Sequence, residues 1–347
     1  MDRNKDTVKT PRLSVVMSVY NGERHLAEAI ESIITQSFED FEFVIIDDGS
    51  TDGTWGILNK YAGKDPRIVL SRNEQNIGLT RSLNRGIALA KGEYIARMDA
   101  DDLSMTDRLE LQVRFLDQNP EIGLVSGACN IVDDTGRPIK KISPPLEDEE
   151  IKAELLIKNF FGHPEIMARA EIIHRVGGYD EKIPYAQDYD LWCRLIPVAR
   201  FASLKEQVLI WRDTRENISN VKRKAQLECA FKISLRTVRK HLDAARFDQE
   251  AYKRLWWAYH GDFGTFSVTD ICRLEPLWSL LESRAALIPR TAEGFGNLGL
   301  NLLRRGKLKD GFQVLGMVRR RLGHKVFWFD VAKSLLKGCI KKSMPGK

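Results

Sequence analysis

The sequence predicts an α/β fold, with a doubly wound, mostly parallel sheet and helices on both of its faces, followed by an all-α basic domain. From residue 13 to residue 128, short β-rich runs alternate with segments of helical periodicity, which is the pattern of a parallel sheet joined by crossover helices. Beyond residue 220 the strand pattern ends and Lys- and Arg-rich helical patterns take over. With 347 residues, 43% of them apolar, the chain is long enough for two cores.

The elements of the first half follow in order along the chain. Apolar, β-rich runs predict strands at Leu13–Val19, Phe41–Asp47, Arg67–Ser71, Tyr94–Met98 and Gly123–Ala128. Apolar residues at helical spacing predict helices between them, at Leu26–Ile34, Thr54–Tyr61, Leu79–Ala90 and Asp107–Gln118. The first four strands therefore alternate with helices, as repeated β–α units require.

A second group of elements follows an interruption. The pair Pro144-Pro145 and the acidic run Glu147–Glu150 break the pattern, and new elements extend from Ile151 to about Trp211. We therefore expect one domain over residues 11–219, with halves at about 11–128 and 129–219, and a helical basic domain over 220–347. Helices of the second domain are predicted at Ala225–His241, Gln249–Tyr259 and Val326–Lys341, with Trp256 and Trp257 in its core.

The net charge of +6 favours anionic partners, namely nucleotide phosphates, nucleic acid or an anionic membrane surface. No recognised nucleic-acid-binding module accompanies the charge, so no nucleic-acid partner is expected. The five cysteines are widely spaced, which predicts neither a zinc site nor a disulfide framework and indicates a reducing compartment. Because no signal-peptide core and no run of roughly 20 apolar residues is found, we expect a cytoplasmic protein that binds a membrane at most at its surface.

Three acidic clusters carry the candidate chemistry, and the first follows the second strand. Ligands of open α/β sheets bind beyond the carboxyl ends of the strands. Asp47 and Asp48 lie at such an end, before a turn rich in Gly, Ser and Thr. Their carboxylates can accept hydrogen bonds from a base or a ribose. The alternative is that they only cap the next helix, a role that also suits Asp52.

The second cluster follows the fourth strand. Asp99, Asp101 and Asp102 come directly after a buried run, and carboxylates two residues apart can both approach a divalent cation. Mg²⁺ or Mn²⁺ usually takes one or two protein carboxylates and completes its shell with water and substrate phosphates. A solvated acidic turn is the alternative, but the preceding buried strand favours the cation site.

The third cluster opens a helix with an apolar stripe that includes Leu191 and Leu195. Asp190 is expected to be a charge partner of the helix N-terminus. Asp188 would then be free to face a cleft, where a carboxylate can take the proton of an attacking hydroxyl. The residues alone leave this role open.

Five motifs follow one another along the chain, at Ser14–Gly22, Asp47–Asp52, Gly78–Asn84, Met98–Asp102 and Gln187–Trp192. Together and in this order they resemble the motifs of family 2 glycosyltransferases, which have the GT-A fold. The resemblance covers about residues 11–219, and the joint occurrence of five motifs is far more specific than any one of them. It implies a nucleotide-sugar-dependent enzyme whose residues 11–128 hold the donor and whose residues 129–219 hold the acceptor.

The resemblance implies roles for individual donor-side residues. The nucleotide would be held by Ser18, Tyr20 and Asp48, with the Tyr20 ring and hydroxyl near the base. Asp101 would bind Mg²⁺ or Mn²⁺, and Asp99 would lie near the ribose or the water shell of the metal. Arg81 occupies a position that approaches the donor in this family, although a helix-surface role is an open alternative.

On the acceptor side, the resemblance implies that Asp188 is the catalytic base. The family has a Glu-Asp pair here, whereas this chain has Gln187-Asp188, a difference that alters acceptor contacts or the pKa of the neighbouring carboxyl. His163, which precedes a proline, is expected to line the acceptor pocket or to be structural. The implied reaction is an inverting displacement, in which the deprotonated acceptor hydroxyl attacks the anomeric carbon opposite the nucleotide.

The expected donor is a UDP-sugar and the expected acceptor a glycan or a lipid-linked glycan, in the synthesis of a cell-surface polysaccharide or glycolipid. One alternative is a nucleotidyltransferase, although the Gly-rich phosphate loop that this class needs does not follow the first strand. The other is a non-catalytic protein that binds anionic surfaces. Residues 326–342 form an amphipathic basic pattern that predicts contact with an anionic membrane at the inner face of the cytoplasmic membrane, or an ordinary packed helix.

Overall fold

The structure, a computed structural model, describes residues 10–214, 221–241 and 247–260. The strands of the described residues are β1 (Leu13–Val19), β2 (Phe41–Asp47), β3 (Ile68–Arg72), β4 (Tyr94–Met98), β5 (Leu103–Ser104), β6 (Ile122–Asp133), β7 (Pro138–Ile142), β8 (Met167–Arg169) and β9 (Arg200–Asp213). The helices are α1 (Leu26–Ile34), α2 (Thr54–Ala62), α3 (Leu79–Leu89), α4 (Arg108–Gln118), α5 (Asp148–Ile157), α6 (Ala170–Arg175), α7 (Gln187–Leu195), α8 (Arg223–His241) and α9 (Gln249–Tyr259). A 3-10 turn spans His163–Glu165.

All the strands belong to one sheet, in the order β3-β2-β1-β4-β8-β6-β9-β5, with β7 paired to β6. Strands β1 to β4 are parallel, with Val19 opposite Asp47 and Met17 opposite Met98. The loops after β1, β2 and β4 therefore leave the sheet at the same edge, which brings the residues after Val19, Asp47 and Met98 together.

The second half of the sheet is mixed, since β8 is antiparallel to both β4 and β6, whereas β6 and β9 are parallel. The predicted fold class is confirmed, and its parallel character is concentrated in the first four strands. Strands β6 and β7 are also antiparallel, because the turn at 134–137 that joins them is too short for a crossover.

Helices cover both faces of the sheet because apolar side chains alternate along the strands. Val15 and its same-face neighbours pack with Ile30 of α1, Leu58 of α2 and Leu109 of α4. Val16 faces the other side and meets α3. A Cβ atom on Gly86 of α3 would lie 2.6 Å from Val16 Cγ1, so the glycine allows this close approach.

The predicted bounds of the described elements agree closely with the structure. The strands at 13–19, 41–47 and 94–98 coincide with β1, β2 and β4, and β3 starts one residue later than predicted. The predicted strand at 123–128 covers only the first half of β6. Helix α9 has its predicted bounds, and α8 begins two residues earlier than predicted. The predicted helix at 326–341 lies outside the described residues.

The chain clusters into two compact units, and the second comprises residues 156–158 and the residues from 231 onward. Within its described residues, Ser234 Oγ donates to the Leu156 carbonyl at 2.6 Å and Trp256 Nε1 donates to the Ile157 carbonyl at 2.8 Å. Trp256 is buried, as expected, and Trp257 is half-buried. The domain boundary near residue 220 stays a prediction. Among the described helices, none is both long enough and apolar enough to cross a bilayer.

Candidate active site

The loops after β1 and β2 are held together by hydrogen bonds. Asn21, with φ of 50°, donates its backbone N–H to Ser50 Oγ at 3.0 Å and accepts from the Thr51 N–H at 2.9 Å. Asn tolerates this left-handed conformation better than most residues. Next to this loop pair, Ser18 is buried at the end of β1, whereas the Tyr20 side chain is 48% exposed. The Tyr20 ring is therefore available to a ligand.

The two aspartates after β2 hold the neighbouring segments. Asp48 is buried and accepts from Asn73 Nδ2 at 2.7 Å and from the N–H groups of Ile77 and Gly78, each at 2.9 Å. Asp47 forms an ion pair with Arg72 Nε at 2.9 Å. The Asp48 carboxylate therefore organises the loop at 73–78 that leads into α3, and its contact with a nucleotide stays a prediction.

Asp52 has the structural role that was expected of it. One of its carboxylate oxygens accepts from the Thr54 N–H at 3.0 Å, and the other accepts from the Glu23 N–H at 3.3 Å. The side chain thus holds the first residue of α2 and connects it to the loop after β1.

Three carboxylates meet at the end of β4. Asp99, Asp101 and Asp102 each offer an oxygen within 4.8 Å of the others. Burial, followed by the charge of Asp99, raises the pKa of Asp101 to about 6. The same two causes raise the pKa of Asp102 well above its usual value. Packing negative charge this closely is unfavourable unless a cation compensates for it.

Asp102 supports the interpretation of this triplet as a cation site. One of its oxygens accepts from the Arg212 N–H at 2.9 Å, which ties the triplet to β9. The other oxygen is buried and has no hydrogen-bond partner among the described residues. Buried carboxylate oxygens rarely lack a partner, and a hard divalent cation is the ligand that oxygens of this kind take.

Arg97 is a residue of this site that the sequence analysis missed. It lies one residue before the end of β4, is only 2% exposed, and forms an ion pair with Asp99 just beyond the strand. This pair brings the guanidinium into contact with the carboxylate triplet. The available signal was a charged residue inside an otherwise buried strand, directly before the acidic motif.

Asp188 occupies the first turn of α7, after Ala186 in a left-handed conformation with φ of 58°. Its carboxylate accepts from Asn159 Nδ2 at 2.7 Å and from the Tyr189 N–H at 2.8 Å. Burial raises the pKa of Asp188, and these hydrogen bonds and the charge of Arg97 limit the increase. A half-buried carboxylate with a raised pKa is suited to accept a proton. Asn159, its side-chain partner, was not identified from the sequence.

The residues flanking Asp188 have distinct positions. Gln187 is half-buried and starts α7. Asp190 is fully buried and accepts from Arg194 Nε at 2.7 Å, and Arg194 also donates to the Gly178 carbonyl at 2.7 Å. Asp190 is therefore paired with a side chain in the last turn of α7, and Arg194 connects α7 to the turn before Tyr179. The expected role of Asp190 as a charge partner of the helix N-terminus stays a prediction.

His163 forms a pair with Tyr179, which lies in the same predicted acceptor half of the domain. The imidazole Nε2 lies 2.6 Å from the Tyr179 hydroxyl, and the His163 ring packs edge-on against Trp192 at 6.2 Å. Burial, followed by the charge of Arg97, lowers the pKa of His163 well below its usual value, so the ring is neutral. Burial raises the pKa of the Tyr179 hydroxyl, and the charges of Asp188 and Asp99 raise it further. Tyr179 therefore lies within electrostatic reach of both carboxylates.

Arg81 lies apart from this arrangement. Its side chain is exposed and pairs with Glu181 at 3.4 Å. Asn84, one turn further along α3, exchanges hydrogen bonds with the backbone of Tyr179, each at 2.9 Å. This contact fixes the turn that presents the Tyr179 hydroxyl to His163. The donor role of Arg81 stays a prediction.

The comparisons with known proteins assign this α/β fold to the glycosyltransferases. The family model described as "Glycosyl transferase family 2" matches residues 14–177. An uncharacterized glycosyltransferase of Methanocaldococcus jannaschii is 36% identical over 61% of this chain and 75% of its own length. The O-antigen biosynthesis glycosyltransferase WbnJ of Escherichia coli is 33% identical over 58% of this chain and 79% of its own. The chain belongs to glycosyltransferase family 2.

Solved structures with the same fold are more distant in sequence. S. aureus TarS residues 1–349, in complex with UDP-GlcNAc, has a TM-score of 0.56 at 19% identity, covering 87% of this chain and 89% of that one. The mannosyltransferase PcManGT of Pyrobaculum calidifontis, in complex with GDP-Man and Mn²⁺, has a TM-score of 0.51 at 18% identity, covering 91% and 88%. The chain spans 53% of the longer TarS chain that it also matches. These likenesses show the shared fold.

Proposed function

We propose that this protein is a metal-dependent, inverting glycosyltransferase that moves a sugar from a nucleotide-sugar, of the UDP class, to a hydroxyl of a glycan or lipid-linked acceptor. The observation that carries the proposal is the carboxylate triplet after β4, in which a buried Asp102 oxygen has no hydrogen-bond partner among the described residues. Membership of the family supports the transfer reaction.

Mg²⁺ or Mn²⁺ would be held by Asp101, with the unpartnered oxygen of Asp102 beside it. Such a cation, when bound, neutralises the negative charge that develops on a departing diphosphate. The solved neighbour bound to Mn²⁺ and GDP-Man supports a divalent cation in this fold. Asp99 is oriented by Arg97 and would face the ribose or the water shell of the metal.

The donor nucleotide would bind along the edge formed by the ends of β1 and β2. The exposed Tyr20 ring offers a stacking surface for the base, and Ser18 and Asp48 lie at the adjoining strand ends. The TarS complexes with UDP and UDP-GlcNAc support a UDP-sugar, and the GDP-Man complex is the contrasting case.

Asp188 would take the proton of the attacking hydroxyl, while Asn159 holds its carboxylate. Attack from the side opposite the diphosphate inverts the anomeric centre without a covalent enzyme intermediate. His163 and Gln187 would line the acceptor pocket. Because His163 is neutral and hydrogen-bonded to Tyr179, it would orient the acceptor by a hydrogen bond and carry no charge.

The pathway that we propose is the synthesis of a cell-surface polysaccharide or glycolipid. Relatives are named for O-antigen biosynthesis in Escherichia coli and amylovoran biosynthesis in Erwinia amylovora. The enzyme would work in the cytoplasm, at the inner face of the membrane where residues 326–342 contact anionic lipid. Those residues lie outside the described part of the chain.

The test is release of the nucleotide diphosphate from a panel of UDP-, GDP- and dTDP-sugars, with Mn²⁺ and with EDTA, because transferases also transfer to water. We expect release from a UDP-sugar with Mn²⁺, its loss with EDTA, and at least a tenfold loss in Asp101→Ala because the diphosphate loses its bridging cation. The exposed Glu121→Gln variant is the matched control. Activity that is unaffected by EDTA would exclude the metal role, and a preference for GDP- or dTDP-sugars would exclude the UDP assignment.

The same protein, given a nucleoside triphosphate and a sugar phosphate as well as the nucleotide-sugars, distinguishes the alternative functions. A nucleotidyltransferase would release pyrophosphate from a nucleoside triphosphate and a sugar phosphate. A non-catalytic binding protein would leave every nucleotide-sugar intact. Either result would replace the proposed function.

A further inference from the structure

Arg97 is a buried cation, and the proposed function gives it no part beyond orienting Asp99. The residue is 2% exposed, and its Nε has no hydrogen-bond acceptor among the described residues. Placing an arginine in such an environment is costly. Its ion pair with Asp99 is the compensating contact that the structure provides.

The surroundings of Arg97 contain both groups of candidate catalytic residues. It lines a small, mainly apolar cavity, with room for about one water molecule, together with Tyr179 and Trp192. Tyr179 is the hydrogen-bond partner of His163. Asp99, the ion-pair partner of Arg97, belongs to the carboxylate triplet. Arg97 therefore contacts a member of the proposed metal site and shares a cavity with a residue of the proposed acceptor side.

The charge of Arg97 lowers pKa values both in the carboxylate triplet and on the proposed acceptor side. It lowers the pKa values of Asp101 and Asp102 in the triplet, against the larger effect of burial. It also lowers the pKa values of Asp188 and Tyr179 on the acceptor side, again against burial. A single positive charge therefore partly balances the carboxylates of the two sites.

We propose that Arg97 is a positioning residue with two effects on the triplet. It fixes the Asp99 carboxylate, so that a divalent cation is held in the geometry needed for transfer, and its charge weakens the attraction of the triplet for that cation. This inference rests on the proposed metal site. With Arg97 in place, Asp99 is directed to the guanidinium, and Asp101 and Asp102 remain for the metal. Without it, the triplet gains net negative charge and Asp99 becomes free to act as an additional ligand.

The proposal makes opposite predictions for metal binding and turnover in Arg97→Gln. Loss of the positive charge that pairs with Asp99 should tighten Mn²⁺ binding at least about threefold. Misplacement of Asp99 should lower turnover at least about tenfold. A residue that only supports the fold would weaken both when it is replaced. Arg114→Gln, which changes an exposed arginine of α4, is the matched control and should change neither.

The experiment measures binding of Mn²⁺ alone to the full chain by calorimetry or electron paramagnetic resonance, transfer kinetics, and folding by circular dichroism. Arg97→Gln should tighten Mn²⁺ binding less in an Asp99→Asn background than in the wild-type background. The reason is that the Asp99 carboxylate, which loss of Arg97 would release, is absent there. Unchanged or weaker Mn²⁺ binding in folded Arg97→Gln overturns the proposal. Absence of Mn²⁺ binding to the wild type instead overturns the proposed metal site.

Arg97→Lys keeps the proposal testable if the glutamine variant does not fold. Lysine keeps the charge but lacks the planar fork that orients a carboxylate. It should therefore bind Mn²⁺ within about twofold of the wild type, while turnover falls at least about tenfold. Wild-type turnover in the lysine variant would overturn the positioning role.

Discussion

Asp188 has two properties that a general base requires. Its carboxylate is oriented by the Asn159 amide and the Tyr189 N–H, and burial raises its pKa above that of an exposed aspartate. A raised pKa makes the carboxylate a stronger proton acceptor. The negative charge must be present for the reaction, so activity should rise as the pH increases through this pKa.

Asp188→Asn should bind the nucleotide-sugar with unchanged affinity and lose at least about a hundredfold in turnover, because an amide cannot accept the hydroxyl proton. The measurement is transfer kinetics together with the donor dissociation constant. Glu171→Gln, at an exposed carboxyl of α6, is the control. Near-normal turnover in Asp188→Asn would remove Asp188 from the role of base.

At the residue scale, the sequence predicted those site residues that belong to local motifs. Asp101 comes just after a predicted strand and Asp188 opens a predicted helix, and both were identified from these signals. Asn159 was missed because its importance depends on a contact with Asp188, nearly thirty positions away in the chain, about which local patterns carry no information. Arg97 has a local signal, a charge inside a buried strand, but its pairing with Asp99 was not inferred from that signal.

At the element scale, the parallel units were predicted well because each strand and its helix are adjacent in the chain. The two-residue β5 and the three-residue β8 were not predicted, since runs of that length have no periodicity. The extension of β6 to Asp133 depends on its pairing with β9, almost 80 positions further along the chain. Strands of this kind are specified by their partners.

The loop after β2 provides an element-scale prediction. Gly49 has φ of +73°, and a Cβ atom there would lie 2.5 Å from the Gln75 carbonyl carbon, in the loop that Asp48 organises. Gly49→Ala should therefore lower the free energy of unfolding by about 2 kcal/mol or more, through backbone strain plus this clash. It should also raise the KM for the donor, because the clash displaces the 73–78 loop beside the proposed nucleotide edge.

Gly136→Ala is the matched control for Gly49→Ala. Its φ is +80°, but no atom lies within 4 Å of the added Cβ. The free energy of unfolding should therefore fall only by the backbone strain, about 1 kcal/mol. Urea denaturation and donor kinetics compare the two variants. Equal losses of stability would show that the contact with Gln75 has no energetic effect.

The 3-10 turn that carries His163 provides a second element-scale prediction. Glu165 is buried and accepts from Ser126 Oγ at 2.9 Å and from the Gly162 N–H at 2.8 Å. Burial raises its pKa to about 7. The folded protein therefore binds more protons than the unfolded chain between about pH 4.5 and pH 7, and its stability should fall as the pH rises through that window.

Glu165→Gln should remove this dependence, because a glutamine oxygen can accept the same hydrogen bonds and does not ionise. Relative to the wild type, the variant should gain on the order of 2 kcal/mol of unfolding free energy between pH 5 and pH 8. Urea denaturation at both pH values measures the change. If the unfolding free energies of the two proteins change equally with pH, the pKa of Glu165 is not raised by folding.

At the scale of the whole molecule, the predicted C-terminal domain is rich in Lys and Arg. Residues 326–342 are predicted from the sequence alone and lie outside the described part of the chain. Drawn as a helix, Trp328, Phe329, Leu335, Leu336 and Ile340 fall on one side, and Lys333, Lys337 and Lys341 fall on the other. This pattern is typical of helices that lie in a membrane interface, with about 1 kcal/mol for each basic residue near anionic headgroups.

A truncation after His324 tests this interpretation by co-sedimentation with vesicles. The full chain should bind anionic vesicles in a salt-sensitive way, because screening weakens the attraction between lysines and headgroups. The truncated chain should bind less, and both should bind poorly to vesicles of neutral phosphatidylcholine. Circular dichroism checks that the truncation remains folded. Equal binding by the two forms would assign the attraction to another surface, and no binding by either would leave this segment as a packed helix.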